Sequence, residues 1–229
     1  SAAIAWVLGI LLIPYVTLPL YLAFGSRKLS VPRQNQNGRR AARRVSSSQG
    51  TAARCQQLGV AMGLPMPVSY ENLLIHEDGT QALDALRRVI DGATLTLELS
   101  TFVFGRDALG DEVAERLKLR TRQGVRVRLL IDGIGIYLGG YPDLEGLQEA
   151  GVEVVRFVPP FRSTKRGRTN LRNHRKMVIA DGAWLWCGGR NLAAEYFEGD
   201  PGAIIGGRPW IDLSFDLCGE IAAQARQQF

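Results

Sequence analysis

RNHRKMVIADGAWLWCGGRN, Arg172 to Asn191, is the stretch on which the reading of this chain turns. His174 and Lys176 stand two apart, so on an extended strand both side chains project from one face. Val178 and Ile179 continue a strand pattern, Asp181-Gly182 is a tight-hairpin dipeptide, and AWLWC returns as the partner strand. Gly188 and Gly189 let the backbone turn closely past whatever the imidazole and ammonium face, and they deliver Asn191 to the same place. An imidazole, an ammonium and a carboxamide beside a glycine turn suit a phosphate: lysine supplies a point charge, asparagine a neutral donor, and a histidine held in one tautomer is a nucleophile for phosphorus. Arg156, Arg162, Lys165, Arg166, Arg168, Arg172 and Arg175 surround the stretch, and no acid lies between Arg156 and Lys176. The approach to the site is electropositive.

Upstream, Ala82, Leu83, Leu86, Val89 and Ile90 fall at helical spacing, with Gly92 just past the end. ATLTLEL follows as a strand, with Leu95, Leu97 and Leu99 on one face. A helix over Asp111 to Arg122, acidic at its start and basic at its end, leads through Gly124 into the strand VRVRLLID. Pro142 to Ala150 reads as a short helix and VEVVRFV as a further strand. This rhythm predicts an α/β domain with a mixed, largely parallel sheet flanked by helices. Asp132-Gly133-Ile134-Gly135 lacks the third glycine of a dinucleotide fingerprint and reads as a turn.

The charge is unevenly spread. Of 229 residues, 28 are basic and 22 acidic, for a net +6, yet the first 70 hold eight Lys/Arg and no acid. Ala2 to Gly25 is a run of 24 uncharged, mostly apolar residues, long enough at 1.5 Å per residue for a transmembrane helix. A cleaved signal is disfavoured because the run exceeds a signal core and its positive flank lies on the far side. Arg27, Lys28, Arg33, Arg39, Arg40, Arg43 and Arg44 then place the rest of the chain on the cytoplasmic side of the membrane and face anionic headgroups. The expected division is a membrane helix over 1–25, a basic linker over 26–70 and a catalytic domain over 71–229. The 46% hydrophobic content excludes intrinsic disorder. Three cysteines without CxxC spacing exclude a disulfide-stapled miniature and point to no structural zinc.

The six positions His174, Lys176, Asp181, Gly188, Gly189 and Asn191 form the pattern HxKxxxxDxxxxxxGGxN, which resembles the HKD signature of the phospholipase D superfamily. The segments IPYVTLPLYLAFGSRKL, FGRDALGDEVAERLKLRTRQGVRVRLLID, RNHRK, GGRNLAAEYF and PWIDLSFDLCG resemble the bacterial cardiolipin synthase branch, so the similarity covers most of the chain. The resemblance implies a two-step transesterification. His174 attacks the phosphodiester of phosphatidylglycerol and releases glycerol, and the hydroxyl of a second phosphatidylglycerol then displaces the histidine to give cardiolipin. By the same resemblance Lys176 and Asn191, with Gly188 and Gly189, hold the phosphate oxygens. The resemblance groups Asp181 with His174 and Lys176 as the catalytic signature, its own task being to orient the loop. Asp212 in PWIDLSF is the candidate carboxylate for fixing the tautomer of His174, in competition with Glu195, Glu198 and Asp200. No metal or organic cofactor is called for.

Members of this branch carry two such motifs, with the active site where the halves meet. Here the other histidine, His76, is followed by Glu77-Asp78 and has no lysine two residues on. LSFDLCGEIAAQARQQF resembles the element that closes a first half, which implies a chain ending at Phe229 midway through a two-motif enzyme. Two alternatives stand beside it: a single-motif phosphodiesterase or nuclease that completes its site as a homodimer, and a membrane-tethered, catalytically incomplete half. The sparse aromatic content of the basic run, Phe157 and Phe161, speaks against nucleic acid as the partner.

Overall fold

The computed structural model describes residues 2–21, 50–157, 172–199 and 210–229. Helices α1 (Ala2–Leu12), α2 (Pro14–Leu20) and α3 (Thr51–Ala61) precede strand β1 (Glu71–His76) and helix α4 (Gly79–Gly92). Then come β2 (Thr96–Thr101), α5 (Ala108–Arg122), β3 (Arg126–Asp132), α6 (Gly133–Leu138), α7 (Leu144–Glu149) and β4 (Glu153–Phe157). The hairpin β5 (Lys176–Ala180) and β6 (Trp184–Gly188), strand β7 (Ser214–Cys218) and helix α8 (Glu220–Gln227) complete the described elements.

The strands form one seven-stranded sheet in the order β1-β7-β6-β5-β2-β3-β4. Only β2, β3 and β4 run parallel, joined by crossovers through α5 and through α6 and α7. The other four pairings are antiparallel, so the sheet is mixed but not largely parallel. The helix-strand rhythm accounts for the parallel half. The antiparallel half arises because β5 and β6 are joined by a tight three-residue connection, Asp181 to Ala183, and because β1, whose apolar residues are consecutive rather than alternating, pairs at the edge with β7. β1 is exposed over most of its length, which explains its weak sequence signal.

Four helices start at an aspartate whose carboxylate accepts a backbone N–H: Asp78 from Gln81, Asp107 from Gly110, Asp132 from Ile134 and Asp143 from Gly146. Each satisfies a donor that the first turn leaves unpaired. α4 buries Ala82, Leu83, Leu86, Val89 and Ile90, the stripe its spacing predicts, against Leu97 and Leu99 of β2, Val178 of β5 and Trp186 of β6. On the opposite face, Met177, Ile179, Leu185 and Leu217 pack against Ala222 of α8. Leu95 does not join the inward leucines as its alternation predicts: it is exposed, because β2 begins one residue later at Thr96.

The expectation of one transmembrane helix over 1–25 is corrected. α1 and α2 are separate helices of 11 and 7 residues, and among the described residues no helix is long and apolar enough to cross a membrane. Pro14 causes the break: its ring disfavours a helical residue before it, and Ile13 sits at φ −139°, ψ 66°. The rings of Trp6 and Tyr21 meet edge to face at 5.5 Å, which an unbroken helix of that length would forbid. The basic residues from Arg27 to Arg44 lie outside the described residues. α3 belongs to a unit of its own, Arg27–Ser69, and forms where the sequence shows no sustained apolar period.

Candidate active site

The hairpin brings the two ends of the motif together. Asp181, Gly182 and Ala183 join the strands: Asp181 and Gly182 have φ of 56° and 64°, the left-handed centre of a turn that the Ala183 N–H closes onto the Ala180 carbonyl at 2.9 Å. With that turn closed, the register places Ala180 opposite Trp184 and, four residues on, Lys176 opposite Gly188. Twelve residues of sequence separation thereby become one strand spacing. His174 lies two residues before the strand and is exposed, while Asn191 follows the glycines and is buried.

A buried polar network presents the histidine segment. Asp132, with no exposed surface at the end of β3, accepts the backbone N–H of Asn173 at 2.9 Å and pairs with the Arg172 guanidinium at 3.4 Å. The Asn173 carboxamide donates to Ser100 Oγ at 2.8 Å and accepts the Arg175 N–H at 3.2 Å. Residues 173 and 175 are therefore tied down on either side of His174. Its imidazole stacks on the ring of Phe102, with centroids 4.1 Å apart and planes 18° from parallel. Lys176 Nζ lies 5.4 Å from the same ring centroid and donates to the His174 carbonyl at 2.9 Å. Burial pulls the Lys176 pKa down, and the Asp212 carboxylate works against that fall.

The glycines are required by close contacts. A Cβ on Gly188 would come 2.7 Å from Ser214 Oγ and collide with the Leu213 carbonyl. On Gly189 it would fall 2.5 Å from the Asp212 Cγ. Asp212 therefore covers the glycine turn, and its carboxylate accepts the Leu213 N–H at 2.7 Å. Among the described residues no hydrogen bond or ion pair joins Asp212 to His174, so its reach into the site runs through Gly189 and through its charge on Lys176 and Arg190. Glu195 and Glu198 are exposed, and Asp200 lies outside the described residues.

Asn191 Oδ1 accepts the Val103 N–H at 3.0 Å, and its side chain is hydrogen-bonded to Tyr196. Burial is the main reason that the Tyr196 pKa is raised. Buried Arg190 donates to the Tyr196 carbonyl and to Ser214 Oγ, each at 3.0 Å, and its desolvation lowers its pKa.

Asp181 is not brought to the others. It sits at the far end of β5, about 16 Å from Lys176 at 3.3 Å per residue. There its carboxylate accepts four hydrogen bonds, from the N–H and hydroxyl of Thr94 and the N–H groups of Leu95 and Thr96. Grouping it with His174 and Lys176 as catalytic is therefore corrected by the geometry: it ties the hairpin to β2. Arg156, Arg172 and Arg175 of the basic run are described, while Arg162, Lys165, Arg166 and Arg168 lie outside the described residues.

Sequence reasoning missed Phe102, Asp132, Asn173, Ser100 and Tyr196. The available signal was that Ser100, Thr101 and Asp132 close apolar strands at one end of the sheet, where polar side chains need partners. Nothing local marks Phe102.

A mixed α/β sheet that delivers HxK and GGxN to one point through an Asp-Gly hairpin defines a phospholipase D-like domain. The family described as cardiolipin synthase, PLD-like domain matches residues 86–205, and the chain belongs to it. Over its whole length the chain is 30% identical to cardiolipin synthase A of Pseudomonas putida (strain W619), of which it covers 50%. It is 32% identical over 136 residues to cardiolipin synthase of Halalkalibacterium halodurans, covering 59% of this chain and 27% of that protein. The chain thus spans about half the length of the curated relatives it matches. The solved structure of NucT from Helicobacter pylori shares the fold at a TM-score of 0.53 and 14% identity, over 70% of this chain and 93% of NucT.

Proposed function

We propose that the chain is the His174-bearing half of a phosphatidyltransferase that joins two phosphatidylglycerol molecules into cardiolipin and glycerol. The observation that carries this reading is the convergence of an exposed imidazole, a half-buried ammonium and a two-glycine turn at one end of the sheet. In the first step a ring nitrogen of His174 forms a bond to phosphorus, the bond from phosphorus to the glycerol oxygen breaks, and glycerol leaves with a proton from a general acid. In the second step the hydroxyl oxygen of another phosphatidylglycerol bonds to phosphorus, the N–P bond breaks, and the hydroxyl proton passes to the same group acting as base. Lys176 neutralises charge on the phosphate oxygens, and the small glycines let the backbone approach them.

That acid and base comes from a second HxK-bearing unit. His76 is unsuited to the role. It is buried at the sheet edge with Nε2 2.6 Å from Asp216 Oδ1, out of line with a hydrogen bond, and β7 and β6 lie between its strand and Lys176. Three strand spacings put it about 14 Å away.

The test is to incubate the protein, together with a second HxK-bearing unit to supply the general acid, with phosphatidylglycerol vesicles, quench at neutral pH in denaturant and weigh the chain and its peptides. The expected product is one phosphatidyl group on the peptide containing His174, with one equivalent of glycerol released and none in His174→Ala. Phosphatidic acid without adduct, or cleavage of single-stranded DNA without lipid product, would replace this reading by hydrolysis or nuclease action.

A further inference from the structure

We propose that Phe102 is a positioning residue for His174, a fixed aromatic platform that sets the plane of the imidazole and carries its charge during the reaction. This rests on the reading of His174 as the nucleophile. Among the described residues no hydrogen bond holds the imidazole, which is solvent-exposed on a segment outside the strands. A histidine anchored only by its backbone keeps two free side-chain torsions, and a phosphorus nucleophile must present one nitrogen along one line. The Phe102 stack is what limits that freedom.

The platform is itself immobilised. Phe102 follows the last residue of β2, and the Thr101 hydroxyl donates to the Val103 carbonyl at 2.7 Å. The Val103 N–H is held by Asn191 Oδ1, and Phe104 bridges to Leu192. The Phe102 carbonyl lies against the Cα of Gly135, where any Cβ would collide with it. Asn191 therefore also locks the backbone beneath the aromatic ring.

Near-parallel stacking suits a nucleophile for a geometric reason. The nitrogen lone pair of an imidazole lies in the ring plane, so covering one face leaves both nitrogens open at the edge. Attack on phosphorus makes the ring cationic, and the negative face of the phenyl ring favours a cation laid upon it. Leucine would fill similar space without the charged face.

The chain has only two histidines, which makes the test direct. In proton NMR the His174 ring resonances should be displaced by the stacked phenyl ring in the wild type and return to the exposed-histidine position in Phe102→Leu, with His76 unmoved. Resonances of His174 that do not change in Phe102→Leu overturn the proposal. In the adduct assay, Phe102→Leu should slow phosphatidylation about tenfold, with the KM for phosphatidylglycerol within about twofold, and Phe102→Tyr should restore the rate. A Phe102→Leu rate equal to the wild type, or a Phe102→Tyr rate as low as Phe102→Leu, also overturns it. Were the wild type to form no adduct, the nucleophile reading would fail, and the NMR arm would still decide whether Phe102 holds the ring.

Discussion

The two ends of the β5–β6 hairpin carry parts of one sequence motif and are built in opposite ways. At the turn, Asp181 accepts four hydrogen bonds and closes the loop onto β2. At the open end, among the described residues, the imidazole of His174 has only an aromatic face against it, and Lys176 bonds a single carbonyl. One end commits its polar groups to structure and the other leaves them available to a ligand. Stability and reactivity are therefore separable by mutation along a strand of five residues.

The largest effect belongs to the open end. His174→Ala should slow adduct formation by at least about 1,000-fold while the melting temperature stays the same, since the side chain is exposed. A comparable loss of stability would mean that the open end is structural after all. Gly189→Ala should come next, because its Cβ displaces Asp212: a rate loss of about 100-fold and a cost of about 1–3 kcal/mol in denaturant unfolding.

The turn should give the reverse pattern. Asp181→Asn tolerates the left-handed backbone but turns an amide N–H group toward donors, costing about 1–2 kcal/mol with the adduct rate per folded molecule unchanged. Burial pushes the Asp181 carboxyl pKa up, but the hydrogen bonds from Thr96, Leu95 and Thr94 outweigh it and hold it below the usual range. A depressed folded pKa means that its stabilisation is complete above the unfolded value of about 3.9 and is lost as pH falls through the folded value. Acid unfolding curves of wild type and Asp181→Asn should accordingly converge at low pH, and a constant gap would refute the assignment.

The smallest effect sharpens the electrostatics of the open end. Asp212 opposes the fall of the Lys176 pKa, so Asp212→Asn lowers that pKa further. If the ammonium holds the phosphate, the alkaline limb of the rate profile should shift to lower pH in this variant. An unmoved limb would place Asp212 purely in packing against Gly189.

Much of this contrast is legible in the residues. The Asp-Gly turn, the two-residue spacing of His174 and Lys176, and the paired glycines are local features, and strand geometry converts them directly into a shared face and a close approach. The apolar stripe of α4 and the strands β2, β3 and β4 are readable for the same reason, since a period of 3.6 or 2 depends on neighbours in sequence. Hydropathy predicts one continuous helix there because it counts apolar residues without the break that Pro14 imposes at Ile13.

By itself, then, the sequence determined the chemistry on offer and the hairpin that gathers it. Only the tertiary structure decided the sheet order, with its antiparallel majority, and the separation of Asp181 from His174. It alone revealed the Asp132–Asn173–Ser100 network and the Phe102 platform, whose partners lie from 41 to 73 residues away along the chain. Contacts of that kind leave no periodic trace, because they depend on which strand ends the fold brings together.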